Sequence, residues 1–347
     1  MRTPLPPGLL ADLPVGEITT SAAPDRWHGP LRSLGTHQRD GAWVVSGHRA
    51  VAAALASPAL SVVPAGGQGT GAAAELVARM ARFSDGEDHR RRRAVVSSLL
   101  PPVPRITTIT ADRVNDYLLR RTSTFDVMPM ARQLPAEVLA RGLGLPAANA
   151  DRAAFLTGVL CDALAPALQP RELPPGAADE AAQELEALFG QHLPAANPER
   201  VDAAVSVLFQ ARDATAALIG TAILAGSGNR SDAHSPGQRV EHVLRRDAPV
   251  QCTRRSAMAD AAIADVTVSA GSAVWIFLAT AEQGSGMPAT FGSGPHACPG
   301  AAHATAIARQ VVTVIDAEGW RPVSAQRIDY ERRPNLRVPV RVLVARS

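Results

Sequence analysis

The sequence predicts one mainly helical domain, residues 1–347, with a minor β-sheet. Three observations predict it. Four successive segments in the middle of the chain repeat apolar residues at i, i+3 and i+4. Short strand-like runs fall near the beginning and in the last third. Hydrophobic residues make up 46% and charged residues 19%, a globular balance that excludes wholesale disorder.

The elements follow in order. Residues 1–16, broken by Pro4, Pro6, Pro7 and Pro14, contain no signal-peptide core. A strand is expected over 42–45, then a helix over 49–56 that stops near Pro58. A glycine-rich loop fills 64–74. One helix runs to Phe83, and another starts near Ser84 and Asp85, whose side chains are expected to cap it. Pro101, Pro102 and Pro104 should end that helix. The four periodic helices cover 111–122, 135–143, 149–168 and 176–193. Residues 201–224 are apolar on nearly every face, interrupted by Gln210, Arg212, Asp213 and Thr215. Such a helix spans ~36 Å and should cross the body of the fold. A polar loop (226–237), a short helix (238–246) and a hairpin about Ala270-Gly271 (263–278) come next. Glycine-rich 284–300 precedes a helix over 301–317 and a strand-like tail over 338–344.

Charge and cysteine content narrow the functional classes. All 35 basic residues are arginine against 32 acids, which reads as the coding bias of a GC-rich genome. A basic isoelectric point with a net charge of +3 gives no reason to expect nucleic-acid binding. No apolar run reaches the ~18 residues of a membrane span. Cys161, Cys252 and Cys298 lie too far apart to suggest a disulfide framework, so a cytoplasmic protein is expected.

One stretch carries chemistry. Phe291-Gly292-Ser293-Gly294-Pro295-His296-Ala297-Cys298-Pro299-Gly300 sets a cysteine in a glycine-rich turn ahead of a helix. Glycines allow a tight turn, and backbone N–H groups before a helix stabilise a sulfur anion. The stretch resembles the FxxGxxxCxG cysteine loop of the cytochrome P-450 superfamily, with every fixed position present. Asp85 to His89 with Arg93 resembles the family's helix whose His and Arg pair with haem propionates. Asp247 to Gln251 through Arg255 resembles the segment that supplies a further propionate arginine, and His296 matches another such position. The resemblance implies a truncated cytochrome P-450-like fold. It also implies haem b on Cys298, a thiolate that favours O–O cleavage. His89, Arg93, Arg255 and His296 would be the propionate partners.

The sequence departs from that family in four places. The central helix reads Gln210-Ala211-Arg212-Asp213-Ala214 where the family has Ala-Gly-x-Asp/Glu-Thr. The acid stays but the alcohol is gone, and Thr215 lies about 100° further round. His242 stands where the family's Glu-x-x-Arg pair to Arg245 has glutamate. Only eight residues separate Glu282 from Phe291, too few for the usual loop before the cysteine. The terminal hairpin is shortened, with Arg333-Pro334-Asn335-Leu336 running almost directly into Pro339-Val340. This combination is similar to the P-450-derived auxiliary proteins that activate deoxysugar glycosyltransferases. It implies a non-catalytic glycosyltransferase partner, with no cofactor or with haem. The alternative is a thiolate-haem monooxygenase served by a ferredoxin, with Asp213 as its remaining proton relay.

The remaining features have plainer readings. Asp213 and Arg212 could also form a satisfied buried ion pair. The run Arg90 to Arg93 is either a ferredoxin docking patch or a solvated helix face, and without interleaved aromatics it does not suggest nucleic acid. His303 reads as a surface histidine, and Cys161 and Cys252 read as core residues.

Overall fold

The structure, a computed structural model, describes residues 25–39, 41–63, 70–164, 173–227, 235–281, 287–331, 333 and 335–346. The N-terminal stretch and parts of the expected loops at 64–74, 226–237 and 284–300 lie outside them. The chain divides into two compact units.

The first unit takes Met1–Gly67, Leu244–Cys298 and Arg332–Arg337. It contains helix α1 (Asp25–Leu34), strands β1 (His37–Arg39) and β2 (Ala42–Val45), helix α2 (His48–Ala56) and strand β3 (Leu60–Ser61). Strands β5 (Thr253–Ala257), β6 (Ala261–Ile263), β7 (Val266–Val268) and β8 (Ala273–Ile276) complete it. A five-stranded sheet runs β1-β2-β8-β5-β3. In it β2 and β8 pair in parallel, from Ala42↔Ala273 to Val45↔Ile276. Side chains alternate across a strand. Val45 therefore joins a core with Val51, Ala54 and Leu55 of α2, while Val44 packs with Leu31, Cys252 and Phe277.

The expected hairpin about Ala270-Gly271 is corrected here. The tight hairpin is β6–β7, turning at Ala264 with φ 52°. Ala270 and Gly271 instead lead into β8, which is paired on both sides, by β5 and β2. Alternation identifies a half-buried strand but does not choose its neighbour.

The second unit takes Gln68–Val243, Pro299–Glu331 and Val338–Ser347. Its helices are α3 (Ala72–Arg79), α4 (Gly86–Leu99), α5 (Val103–Leu118), α6 (Met128–Gly142), α7 (Ala147–Leu164), α8 (Ala177–His192), α9 (Pro198–Leu224) and α11 (Ala301–Ala317). Helix α10 (Pro236–Arg246) straddles the division. Strands β4 (Phe125–Asp126), β9 (Trp320–Pro322) and β10 (Leu343–Arg346) form a small antiparallel sheet, with β10 in the middle.

Helix α9 is the 27-residue spine of this unit, about 40 Å long. Asn197 caps it by accepting from the Arg200 N–H at 3.0 Å. Its composition and length would suit a membrane span, but 72% of the apolar window is buried within the chain. At the α5–α6 crossing, a Cβ on Gly142 would lie 2.6 Å from Ile106 Cδ1, so any larger residue there would make the Ile106 side chain shift.

Three local expectations are revised. Asp85 sits at the N-cap of α4 but makes no capping bond through its side chain. Ser84 Oγ donates to the Ala81 carbonyl at 3.1 Å, closing the preceding 3-10 turn. Pro102 and Pro104 open α5 rather than end α4, since proline lacks only an N–H that the first turn leaves unused. The strand-like tail forms β10 from Leu343 onward. Residues 338–340 instead pair back on 329–331, with Glu331 N–H donating to the Val338 carbonyl at 2.8 Å.

Candidate cofactor site and central helix

The cysteine loop is held by its backbone. Gly292 and Gly294 take φ of 68° and 69°, which L side chains adopt only with strain. A Cβ on Gly294 would also lie 3.1 Å from the Leu55 carbonyl of α2. The Cys298 N–H donates to the Phe291 carbonyl at 2.8 Å, closing the loop on itself. Thr290 Oγ1 donates to the Val250 carbonyl at 3.0 Å, tying the loop's entry to the segment after α10.

Of the three thiols, Cys298 alone is exposed. Cys161 and Cys252 are core residues as expected, and burial pushes the Cys252 thiol up to about 12. Arg255 is buried on β5, opposite Val274, and His296 is half-buried in a 3-10 turn. Arg255, His296 and Cys298 thus belong to the first unit, whereas His89, Arg93 and Asp213 belong to the second.

In the second unit, His89 and Arg93 are four residues apart on α4 and share a face. His89 is buried, with Nδ1 3.0 Å from the Ala81 carbonyl. The arginines beside it are engaged. Arg90 pairs with Glu87, Arg91 pairs with Asp88 and Glu199, and Arg92 donates to the Ala78 carbonyl at 2.7 Å. Much of the positive charge of this run is therefore neutralised within the unit, which weakens its reading as a docking patch for an acidic partner.

The centre of α9 is an ion network. Arg212 Nη1 donates to Asp213 Oδ1 at 2.8 Å and lies 3.2 Å from Asp162 Oδ1 on α7. One turn earlier on α7, a Cβ at Gly158 would sit 3.3 Å from Arg212 Nη2, so Gly158 leaves the guanidinium its seat. Burial works against the Arg212 charge, but Asp213 and Asp162 outweigh it and raise its pKa. Gln210 is exposed and Ala211 and Ala214 are half-buried, whereas Thr215 is buried. Gln210 Nε2 donates to Ser206 Oγ at 2.6 Å.

Sequence reasoning missed several partners. Asp162 and Gly158 lie about fifty residues from Arg212, with no local signal. Arg337, only 1% exposed, pairs with Asp247 at 2.6 Å, and its N–H donates to the Pro249 carbonyl. Asp247 stood inside the family-like block, but nothing linked it to Arg337. His303 is corrected: it is buried, with Nε2 2.7 Å from the Pro101 carbonyl.

Among the described residues no three His, Cys, Asp or Glu side chains gather as a metal site. A bare ion needs several protein ligands, whereas haem iron needs only an axial donor such as one thiolate. One exposed thiol in a closed glycine loop therefore fits haem better than a free metal ion.

No family model and no curated protein matches the sequence. Solved structures do match. P450 OxyD, involved in the biosynthesis of vancomycin-type antibiotics, superposes with a TM-score of 0.77 at 22% identity, over 96% of this chain and 99% of its own. The fold is that of the cytochromes P450. CYP164A2 of Mycobacterium smegmatis gives a TM-score of 0.74 at 21% identity, over 98% of this chain and 100% of its own. P450BioI, in complex with an acyl carrier protein carrying hexadec-9Z-enoic acid, gives 0.75 at 18%, over 93% and 98%. At 347 residues the chain is shorter than is typical of the cytochrome P450 fold. Helix α9 is long and mostly buried, and the cysteine loop directly precedes α11.

Proposed function

We propose that this chain is a cytochrome P450-fold protein that acts by binding a protein partner, a nucleotide-deoxysugar glycosyltransferase, rather than by oxygenating a substrate. One observation carries the reading. The acid of the central helix, Asp213, is engaged by the buried Arg212, and the next residue is Ala214 instead of an alcohol. A partner that binds one state of an enzyme raises the population of that state, which is how a scaffold activates without chemistry. The acyl carrier protein complex of P450BioI supports a protein partner for this fold, and OxyD supports a setting in natural-product assembly.

A second reading rests on a different observation. Cys298 is exposed in a closed loop, and the chain keeps His89, Arg93, Arg255 and His296. When bound, haem would supply one-electron and oxygen chemistry. Cys298 would ligate it, and these four residues would hold its propionates. A ferredoxin would be the electron donor, and Asp213 the acid available to move a proton.

Expression with a haem precursor, reduction and addition of carbon monoxide separates the two readings. The partner reading expects glycosyltransferase activity that rises on adding this protein, whether or not haem is bound. A stoichiometric thiolate-haem Soret band, with oxidation of a small molecule and no effect on a glycosyltransferase, overturns it.

A further inference from the structure

One end of the second unit carries a row of arginines stacked on aromatic rings. Arg121 lies over Tyr117 at 4.4 Å and over Phe125 at 5.5 Å. Phe125 meets Trp320 edge-on at 4.8 Å, and Arg346 lies over Trp320 at 5.2 Å. The small sheet sets this order, since β10 places Val344 opposite Phe125 and Arg346 opposite Trp320. Arg120, Arg321 and Arg346 are exposed, and Leu119, at 83%, is the most exposed large apolar residue described.

The acids of these elements do not balance the arginines. Asp116 pairs with Arg113, and Asp126 accepts from the N–H groups of Met128 and Val342. Asp316 pairs with Arg239 and, at 3.8 Å, with Arg321. Asp112 and Glu318 remain exposed, against Arg120, Arg121 and Arg346. Arg121 Nε is buried with no hydrogen-bond acceptor among the described residues. Its ring contacts hold the guanidinium in place before binding, which lowers the ordering cost of binding.

We propose that this arginine–aromatic end docks an acidic face of a protein partner. The guanidinium fork matches carboxylates. Trp320 is fully buried, and Tyr117 and Phe125 are half-buried beneath Arg121, so these rings offer a nucleic-acid base little open face to stack on. Leu119 alone is too small an apolar area to anchor in a bilayer. The inference deepens the partner reading and rests on it for the partner's identity.

A labelled decaglutamate peptide tests the surface by itself, and the glycosyltransferase tests it in the complex. The peptide should bind the full chain, weakening about tenfold as salt rises from about 0.05 M to about 0.5 M. R120E/R346E should lose about tenfold or more in affinity for both peptide and glycosyltransferase, and R120Q/R346Q should lose less. The charge-matched R105E/R327E, on exposed residues elsewhere in this unit, should keep both. Leu119→Ser should weaken the glycosyltransferase complex but not the peptide. Equal glycosyltransferase binding by R120E/R346E overturns the surface and leaves the partner reading intact. Peptide binding at this end without any glycosyltransferase binding upholds the surface and ends the partner reading. Tighter binding to phosphatidylglycerol vesicles or to a single-stranded oligonucleotide than to the peptide, at equal salt, overturns the proposal.

Discussion

The cysteine loop and the centre of α9 are both held by close contacts, but of different kinds. The loop is shaped by backbone: two left-handed glycines and the Cys298–Phe291 hydrogen bond hold it, and the cysteine side chain is exposed. The centre of α9 is shaped by side chains, with Arg212 closed in by Asp213, Asp162 and the gap at Gly158. The ion network ties Arg212 and Asp213 to the packing of the helices, whereas Cys298 is set at the surface of its loop. Where stability accounts for a residue it says little about chemistry, so the case for a retained cofactor rests on the loop and the case against oxygen activation rests on the helix.

The largest expected effect tests that asymmetry in the helix. Arg212→Ala removes the cation that Asp213 and Asp162 face, and loss of one member of a buried pair costs about 3–5 kcal/mol. Urea unfolding should show this as a large fall in midpoint. Replacing both residues together, R212L/D213L, should cost less than the single change. A loss below about 1 kcal/mol for Arg212→Ala, as for an exposed pair, would mean that the network does not hold the helix.

Next in size is a backbone change in the loop. Gly294→Ala puts a Cβ at a positive φ and against the Leu55 carbonyl, so it should cost about 1–2 kcal/mol. Thermal unfolding measures it. A neutral result would mean that the loop's shape is not fixed by its glycines.

A third prediction concerns pH and a second buried cluster, on α5, α6 and α7. Burial, together with the hydrogen bond that protonated Glu137 donates to Asp151, raises the pKa of Glu137 above the usual glutamate range, although Arg113 and Arg141 lie close by. The native state therefore holds the Glu137 proton more tightly than the unfolded chain does. The stability linked to that proton is complete below the unfolded pKa and is lost as pH rises through the folded one. Glu137→Gln removes this dependence. Relative to wild type, the variant should gain stability as pH rises from about 4 to about 8. Denaturant titrations across that range would show the opposite slope if Arg113 dominated.

What the sequence made legible follows from how local each cause is. The cysteine loop could be read because glycine, proline and cysteine impose their constraints within ten residues. The helices could be read because burial repeats with the helical period, as in α8. The partner of β8, the start of α5 at Val103 and the pairing of Arg337 with Asp247 could not be read. The prolines that open α5 are local but read equally well as a stop, whereas the other two depend on a residue or strand brought close only by folding. His303 was misjudged for the same reason, because the Pro101 carbonyl that satisfies it lies about two hundred residues away.

The smallest expected effect separates the two regions most clearly. Cys298→Ser changes an exposed side chain and leaves the backbone bond to Phe291 in place, so stability should move by no more than about 0.5 kcal/mol. If the cysteine serves only as a cofactor ligand, the same change should abolish any thiolate-haem spectrum. It should also leave glycosyltransferase activation untouched. Loss of activation together with the spectrum would tie the partner role to a bound cofactor. Stability falling as far as it does in Arg212→Ala would show that the cysteine is a structural residue, and the contrast between loop and helix would disappear.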